Sequence, residues 1–152
     1  MGKLPDCISS VPNTEFGQLS WQVDPQKDKR KAARFPMDRI RFTQLVEEAL
    51  SRLPKFFRNK IENVSIMVED YPGQEMQEDY KGLLLGLFHG TPKTQQSVFA
   101  THLPAQIFLY QKNIEKVCRT EQEVLEQIDK TLKHEIGHYF GLSEKELRRK
   151  GY

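Results

Sequence analysis

Two histidines and a glutamate near the end of the sequence have the types and spacing best suited to catalysis. They lie in the segment His134-Glu135-Ile136-Gly137-His138. Residues four apart lie one turn above each other on one helix face, so both imidazoles can reach one metal ion. The neighbouring Glu135 can act as a base toward water on that ion. The segment therefore has the HExxH pattern of zinc hydrolases, which combines two imidazole ligands with a general base.

The motif continues with two further residues of suitable type. Gly141 and Glu144 follow His138 by three and six positions. A glycine here can end the helix in the left-handed conformation and reverse the chain, which would bring Glu144 back toward the imidazoles. Glu144 is thus the candidate third ligand. Asp70 is a competing ligand, and Glu144 has an alternative role in stabilising the N-terminus of a final helix through its dipole.

Length and composition limit the class of protein. A chain of 152 residues that is 38% hydrophobic suits one globular domain with a real core. A formal charge of +2 argues against an electrostatic nucleic-acid binder. No apolar run approaches the ~20 residues that a membrane helix needs, and no signal-peptide core is evident, so we expect a cytosolic protein without a membrane partner. Cys7 and Cys118 belong to no CxxC pair, which favours reduced structural thiols.

Residues 1–37 are expected to form a partly flexible N-terminal extension, and residues 38–152 the folded domain. The first 36 residues hold half of the eight prolines and a basic run from Lys27 to Lys31. This composition is typical of a solvated linker, with a docking arm for an acidic partner or nucleic acid as the alternative. Trp21, with Phe16 and Leu19, is a candidate anchor on the domain.

Apolar periodicity predicts the elements of the domain. A helix is expected over about 39–53, between the N-cap Asp38 and Pro54, with a short helical turn over 55–61. Strands are predicted at 64–68, 83–88 and 106–111, and surface loops at 74–81 and 91–101. The strand at 83–88 is either a sheet edge, to which an extended peptide could pair, or a buried strand with a bulge.

The motif itself lies on the longest predicted helix. Thr120 and Glu123 have capping-box spacing at its start, and its apolar stripe runs through Leu125, Ile128, Leu132, Ile136 and Phe140. Ser143 and Glu146 repeat the capping-box spacing, which predicts a last helix that ends near Lys150.

The chain from about Asp38 to Gly151 resembles the small bacterial zincin-like metallopeptidase family. The resemblance rests on several stretches, of which HEIGHYFGLSEKEL is the most specific; the others are 42–54, 63–70, 84–92 and 103–107. It implies an α+β minimal zincin-like fold, with an N-terminal helix, a small mixed β-sheet and a long C-terminal metal-binding helix. The family usually has Asp at the third ligand position, where this chain has Glu144. The larger metzincins are excluded, because no Met follows the motif.

These observations predict hydrolysis of a peptide bond through a zinc-bound water. Glu135 would be the general base, and His134, His138 and Glu144 would hold Zn²⁺ with one coordination position open. The expected substrate is a peptide or an unfolded protein segment. Candidates for stabilising the oxyanion are Tyr139, His102, Tyr110 and Tyr152.

Two other classes stay open. A non-catalytic zinc-binding or interaction domain is disfavoured by Glu135, because a structural zinc site needs no base. A metal-dependent endoribonuclease would use three histidines and lack the glutamate after the first, so Glu135, Glu144 and the near-neutral charge argue against it. We therefore expect no nucleic-acid partner.

Overall fold

The structure is a computed structural model, which describes residues 18–23, 35–79, 82–97 and 103–152. Strands occur at Gln18–Val23 (β1), Val64–Glu69 (β2), Leu83–His89 (β3) and Ala105–Tyr110 (β4). Helices occur at Arg39–Arg52 (α1), Lys55–Arg58 (α2), Gln74–Asp79 (α3), Gln111–Val117 (α4), Glu121–Tyr139 (α5) and Glu144–Lys150 (α6), with a short 3-10 turn at Lys93–Gln95. The fold is α+β, as predicted.

The four strands form one mixed sheet in the order β1-β3-β4-β2. β3 pairs antiparallel with β1 and with β4, whereas β2 and β4 are parallel. β3 is therefore an inner strand, and the interpretation that placed it at the sheet edge is wrong, because β1 covers its outer side. Its middle residues are buried, and its pairing with β1 shifts register between Trp21 and Gln22, so the buried strand with an irregularity is confirmed.

The core lies between the sheet and the two longest helices. α5 packs against α1 and against β3, β4 and β1. The predicted stripe of α1 is buried at Phe42, Leu45, Val46 and Ala49, and Asp38 accepts a hydrogen bond from Arg41 N as its N-cap. Burial of each large apolar side chain contributes roughly 1.5–3 kcal/mol, so this packing fixes the position of α5. No helix in the described ranges is long and apolar enough to cross a membrane.

Two polar helices are absent from the sequence-based prediction. The surface loop predicted at 74–81 is wrong for Gln74–Asp79, which forms α3. This helix is held by Met76, which packs against Tyr110, and by a 2.6 Å hydrogen bond from Gln77 Nε2 to the Pro72 carbonyl. α4 begins at Gln111, where the prediction still had a strand. α3 is thus held by the packing of Met76 and by a local side-chain bond, and α4 by tertiary hydrogen bonds, and apolar periodicity reveals neither.

Part of the predicted N-terminal extension joins the sheet. β1, which contains Leu19 and Trp21, is anchored through its backbone along β3. Phe16, the basic run 27–31 and Cys7 lie outside the described residues. Cys118 is buried, in agreement with a structural role.

Candidate metal centre

The helix that carries the motif is fixed at its N-terminus. The Thr120 hydroxyl accepts a 3.2 Å hydrogen bond from Glu123 N, which confirms the predicted N-cap. The second bond of the predicted capping box is different. The Glu123 carboxylate accepts from Arg119 N at 2.7 Å, one residue before the N-cap Thr120 whose N–H a capping box would use. α5 then runs for 19 residues, and both histidines lie in its last turns.

The chain reverses at Gly141, as predicted. Gly141 has φ 82°, a left-handed conformation that L side chains rarely adopt. Its N–H bonds to the His138 carbonyl at 2.9 Å, and the Leu142 N–H bonds to the Gly137 carbonyl at 3.0 Å. This pair of bonds is the Schellman motif, which satisfies the last carbonyls of the helix. The reversal directs the chain back across the end of α5.

α6 begins immediately after this turn and carries the third candidate ligand. Ser143 and Glu146 form the predicted capping box, and Glu144 is the first residue of the helix. Leu147, which is fully buried, packs on Gly137 so closely that a methyl group there would overlap its side chain. The absence of a side chain at Gly137 therefore lets α6 approach the motif.

Three ligand atoms converge at this junction. Glu144 Oε1 lies 3.1 Å from His134 Nε2 and 2.9 Å from His138 Nε2, and the two Nε2 atoms are 3.1 Å apart. Both imidazoles are fully buried, and the Glu144 side chain is 26% exposed. The expectation that the turn brings Glu144 back to the imidazoles is confirmed. Among the described residues these three form the group that could hold a metal ion.

The chemistry of the three donors fits a cation. His138 Nδ1 lies 3.1 Å from the Leu142 carbonyl, which can only accept, so Nδ1 carries a proton, and in the neutral ring Nε2 turns its lone pair to Glu144 Oε1. Two acceptors that face each other at 2.9 Å repel unless a proton or a metal ion lies between them, so a metal ion can take the place of the proton in this group. The other Glu144 oxygen is buried without a hydrogen-bond partner among the described residues. Ligands ~2.0–2.1 Å from a tetrahedral zinc are about 3.3 Å apart, close to the separations here.

The ionisation states also suit a metal. Burial lowers the pKa of His134 below its usual value, against the opposing effects of Glu144 and of a hydrogen bond with the Tyr152 backbone. Burial by itself raises the pKa of Glu144, but hydrogen bonds and charge from His134 and His138 outweigh it and bring that pKa to about 2. Near neutral pH the site thus presents an uncharged His134 and an ionised Glu144, which are the forms that bind metals.

Glu135 is fully buried on α5 beside this cluster. β3 passes over it: a methyl group at Gly86 would lie 3.4 Å from Glu135 Cγ and 2.5 Å from Thr131 Cγ2. A strand residue with a side chain would not fit at this distance. Gly86 therefore allows the backbone of the sheet to approach the predicted general base.

The other sequence candidates lie elsewhere or are engaged. Asp70 pairs with Arg39 at 2.6 Å and is not in the ligand group, so the competing ligand assignment is wrong. The Tyr139 hydroxyl donates to the Glu62 carbonyl at 2.9 Å, and the Tyr110 hydroxyl contacts Met76 Sδ at 3.7 Å. His102 lies outside the described residues. Tyr152 contributes its backbone to the site, through the bond with His134.

The sequence reasoning missed the residues that orient the ligands. The Leu142 carbonyl and the Tyr152 backbone hold the two imidazoles, and backbone groups leave no signal in residue type. Tyr152 reaches its place through a second Schellman turn, in which Gly151 N bonds to the Arg148 carbonyl and Tyr152 N to the Leu147 carbonyl. Gly137 did leave a signal, because glycine inside a helix costs about 1 kcal/mol and calls for a packing reason.

These features define a zincin-type site. A long helix packs under a small mixed sheet and carries two histidines and a glutamate, and a glycine turn after it leads to a third ligand, a carboxylate. The sequence model of the zincin-like metallopeptidase family matches residues 61–152, more than half of the chain. The chain belongs to the zincin-like metallopeptidase family, whose members typically bind zinc. Comparison with curated proteins gives no match.

Proposed function

We propose that the protein is a zinc-dependent peptidase that hydrolyses peptide bonds, with Glu135 as general base. The observation that carries the proposal is the convergence of His134 Nε2, His138 Nε2 and Glu144 Oε1 within 3.1 Å of one another. Three protein ligands with a buried carboxylate beside them are typical of catalytic zinc sites, whereas structural sites use four protein ligands. A cytosolic location and a peptide or unfolded segment as substrate are part of this proposal.

His134, His138 and Glu144 would hold the ion. Bound zinc would supply a Lewis acid that polarises the scissile carbonyl and makes water more acidic. Glu135 takes a proton from the attacking water as the C–O bond forms at the scissile carbonyl, and then passes it to the nitrogen of the leaving amine as the C–N bond breaks. The Leu142 carbonyl keeps the proton of His138 on Nδ1, so the lone pair of Nε2 is available to the metal ion.

The test compares zinc content with peptide cleavage for the wild type and Glu135→Gln. The amide keeps the size of the side chain but cannot take a proton. We expect the variant to retain zinc and to lose at least ~100-fold in kcat/KM, the lower range for loss of a general base. Cleavage is measured on a peptide library by mass spectrometry, and zinc by elemental analysis.

Glu126→Gln is the matched control, because Glu126 is an exposed glutamate of the same helix. It should cleave like the wild type. Cleavage by Glu135→Gln at the wild-type rate would contradict the role of Glu135. A wild type that binds zinc but cleaves no peptide would replace the proposal with a zinc-binding interaction domain, and cleavage of RNA in place of peptides would favour the endoribonuclease class.

A further inference from the structure

β1 covers the edge of β3 along its whole length. The pairing runs from Gln18 opposite His89 to Val23 opposite Leu83 in antiparallel direction. β1 is the outermost strand on this side of the sheet. An extended peptide that adds to a sheet edge makes the same backbone hydrogen bonds. β1 thus occupies the place at which a peptide backbone would pair with β3.

This place adjoins the residue of β3 that lies over the predicted general base. In the pairing, Trp21 is opposite Gly86, the residue at which β3 lies over Thr131 and Glu135. β1 also lies against α5, which carries the motif. A backbone at the position of Trp21 is therefore the neighbour of the strand residue above the predicted general base, where a scissile bond would have to enter.

The pairing is irregular at the same point. Trp21 is opposite Gly86 and Gln22 is opposite Leu84, so the register shifts and Leu85 has no opposite residue. An irregularity of this kind interrupts the ladder and leaves groups unpaired. β1 is also outside residues 61–152, the part of the chain that matches the family, whereas β3 and α5 are inside it. β1 is thus an irregularly paired strand that lies outside the part of the chain matched by the family.

We propose that β1 is an internal occupant of the peptide-binding edge, and that an extended peptide reaches Glu135 only after Gln18–Val23 leaves β3. The inference rests on the proposed function. A segment of the same chain competes at an effective concentration on the order of millimolar, so a peptide at micromolar concentration displaces it poorly. The full chain should therefore bind and cleave peptides less well than a chain whose β1 cannot pair.

The test uses full-length chains in which Leu19→Pro and Ser20→Pro are combined. Proline has no N–H, and consecutive residues of a strand present their backbone groups to opposite sides, so one of the two prolines removes a donor to β3 whatever the alternation. Leu19→Ala combined with Ser20→Ala is the matched control, because it removes the same side chains and keeps both N–H groups. Zinc content and circular dichroism verify the fold of each variant.

Two measurements are made on these chains. The first is binding of a labelled peptide of sequence QLSWQV, the sequence of β1 itself, by fluorescence anisotropy. The second is kcat/KM on the peptides cleaved in the library. We expect the proline variant to bind QLSWQV at least ~10-fold more tightly than the wild type and to cleave at least ~10-fold faster, with the alanine variant close to the wild type.

A disulfide clasp that holds β1 on β3 tests the opposite change, in which β1 cannot leave the sheet. Gln18→Cys combined with His89→Cys joins an opposite pair at the exposed end of β3, in a chain that also carries Cys7→Ser. Oxidation should lower cleavage at least ~10-fold, and reduction with a phosphine should restore it.

The outcomes separate the two proposals. If the wild type cleaves peptides while the proline variant with full zinc neither binds QLSWQV more tightly nor cleaves faster, the inference is wrong and the proposed function stands. Undiminished cleavage by the oxidised disulfide variant likewise overturns the inference and leaves the proposed function standing. If no chain cleaves any peptide, the proposed function fails, and the inference with it.

Discussion

Glu144 reaches the imidazoles because of its position at the start of α6. It is the first residue of α6, directly after the Gly141 reversal and the Ser143 cap, and its Oε1 lies 2.9 Å from His138 Nε2. The resemblance to the family leads one to expect the shorter aspartate here. The extra methylene of glutamate is accommodated, since both Nε2 atoms lie within 3.1 Å of the same oxygen.

The first prediction concerns Glu144→Ala and Glu144→Asp. Loss of the carboxylate removes one of three ligands and should lower zinc affinity by at least ~100-fold, the upper end of what loss of an outer-shell partner costs. Aspartate keeps the carboxylate on a shorter arm, so its loss should be about 10-fold. Affinity is measured by competition with a chromophoric chelator. Zinc affinity of Glu144→Ala equal to that of the exposed-site control Glu126→Ala would require another third ligand.

The three motif residues of the site were predictable because the contact between them is local in sequence. His134, Glu135 and His138 lie within five residues of one helix, and helix geometry alone places the two imidazoles together. The choice between Glu144 and Asp70 was not local, since it depended on Arg39, which pairs with Asp70 from another element. The bonds from the Leu142 carbonyl and the Tyr152 backbone were not predictable, because main-chain groups are present at every position.

At the scale of elements, the contact of α5 with α6 decides the geometry of the site. Leu147 of α6 occupies the space above Gly137, one residue before His138. A side chain on α5 at this position would push α6 outward. Since Glu144 lies on α6, the same displacement would move its carboxylate away from the imidazoles.

The second prediction is that Gly137→Ala weakens zinc binding about 10-fold. Alanine gains up to about 1 kcal/mol of helix propensity, but overpacking against Leu147 costs roughly 1–3 kcal/mol and shifts α6. Zinc affinity and thermal unfolding are measured together. Gly73→Ala is the control, because nothing lies within 4 Å of a methyl group there.

A double variant identifies the cause. Gly137→Ala combined with Leu147→Ala restores the space between the helices, so it should bind zinc more tightly than Gly137→Ala alone, although the cavity lowers its stability. Weaker zinc binding in the double variant would refute the explanation through packing.

The long elements were predicted from their apolar periodicity, and the short polar ones were not. α1 and α5 carry stripes that are buried in the structure, and caps that the sequence displays. α4, for example, is held by Asn113 Nδ2, which donates to the Leu84 carbonyl at 2.8 Å. Such a bond joins residues far apart in sequence, so the local pattern around Asn113 carries no trace of it.

At the scale of the whole molecule, long-range pairing sets the architecture. The order β1-β3-β4-β2 includes two pairings, β1 with β3 and β2 with β4, that join strands not consecutive in sequence. Three of these strands were recognisable by composition, but neither their order nor the addition of Gln18–Val23 follows from local pattern. Those features depend on which edges remain available when the core forms, and hence on the packing of all elements together.

The segment just before α1 is tied to α4 by one buried carboxylate. Glu115 of α4 is fully buried and accepts hydrogen bonds from Met37 N at 3.2 Å and from Gln111 Nε2 at 2.8 Å. Lys112 Nζ lies 3.2 Å from both of its oxygens. The Glu115 carbonyl also accepts from Phe35 N at 3.4 Å. The segment before α1 is thus held against α4, far along the chain.

The last prediction follows from this network. Glu115→Ala leaves Met37 N, Gln111 Nε2 and the partly exposed Lys112 ammonium without this acceptor, so the free energy of unfolding should fall by roughly 1–3 kcal/mol, the cost of leaving polar groups unsatisfied. Glu115→Gln keeps an oxygen for Met37 N and loses the charge, so about half that loss is expected. Chemical denaturation measures both, with Glu126→Ala as the exposed control. Because the carboxylate acts through contacts outside the metal centre, folded Glu115→Gln should bind zinc like the wild type; equal loss of zinc affinity and stability would instead tie α4 to the site.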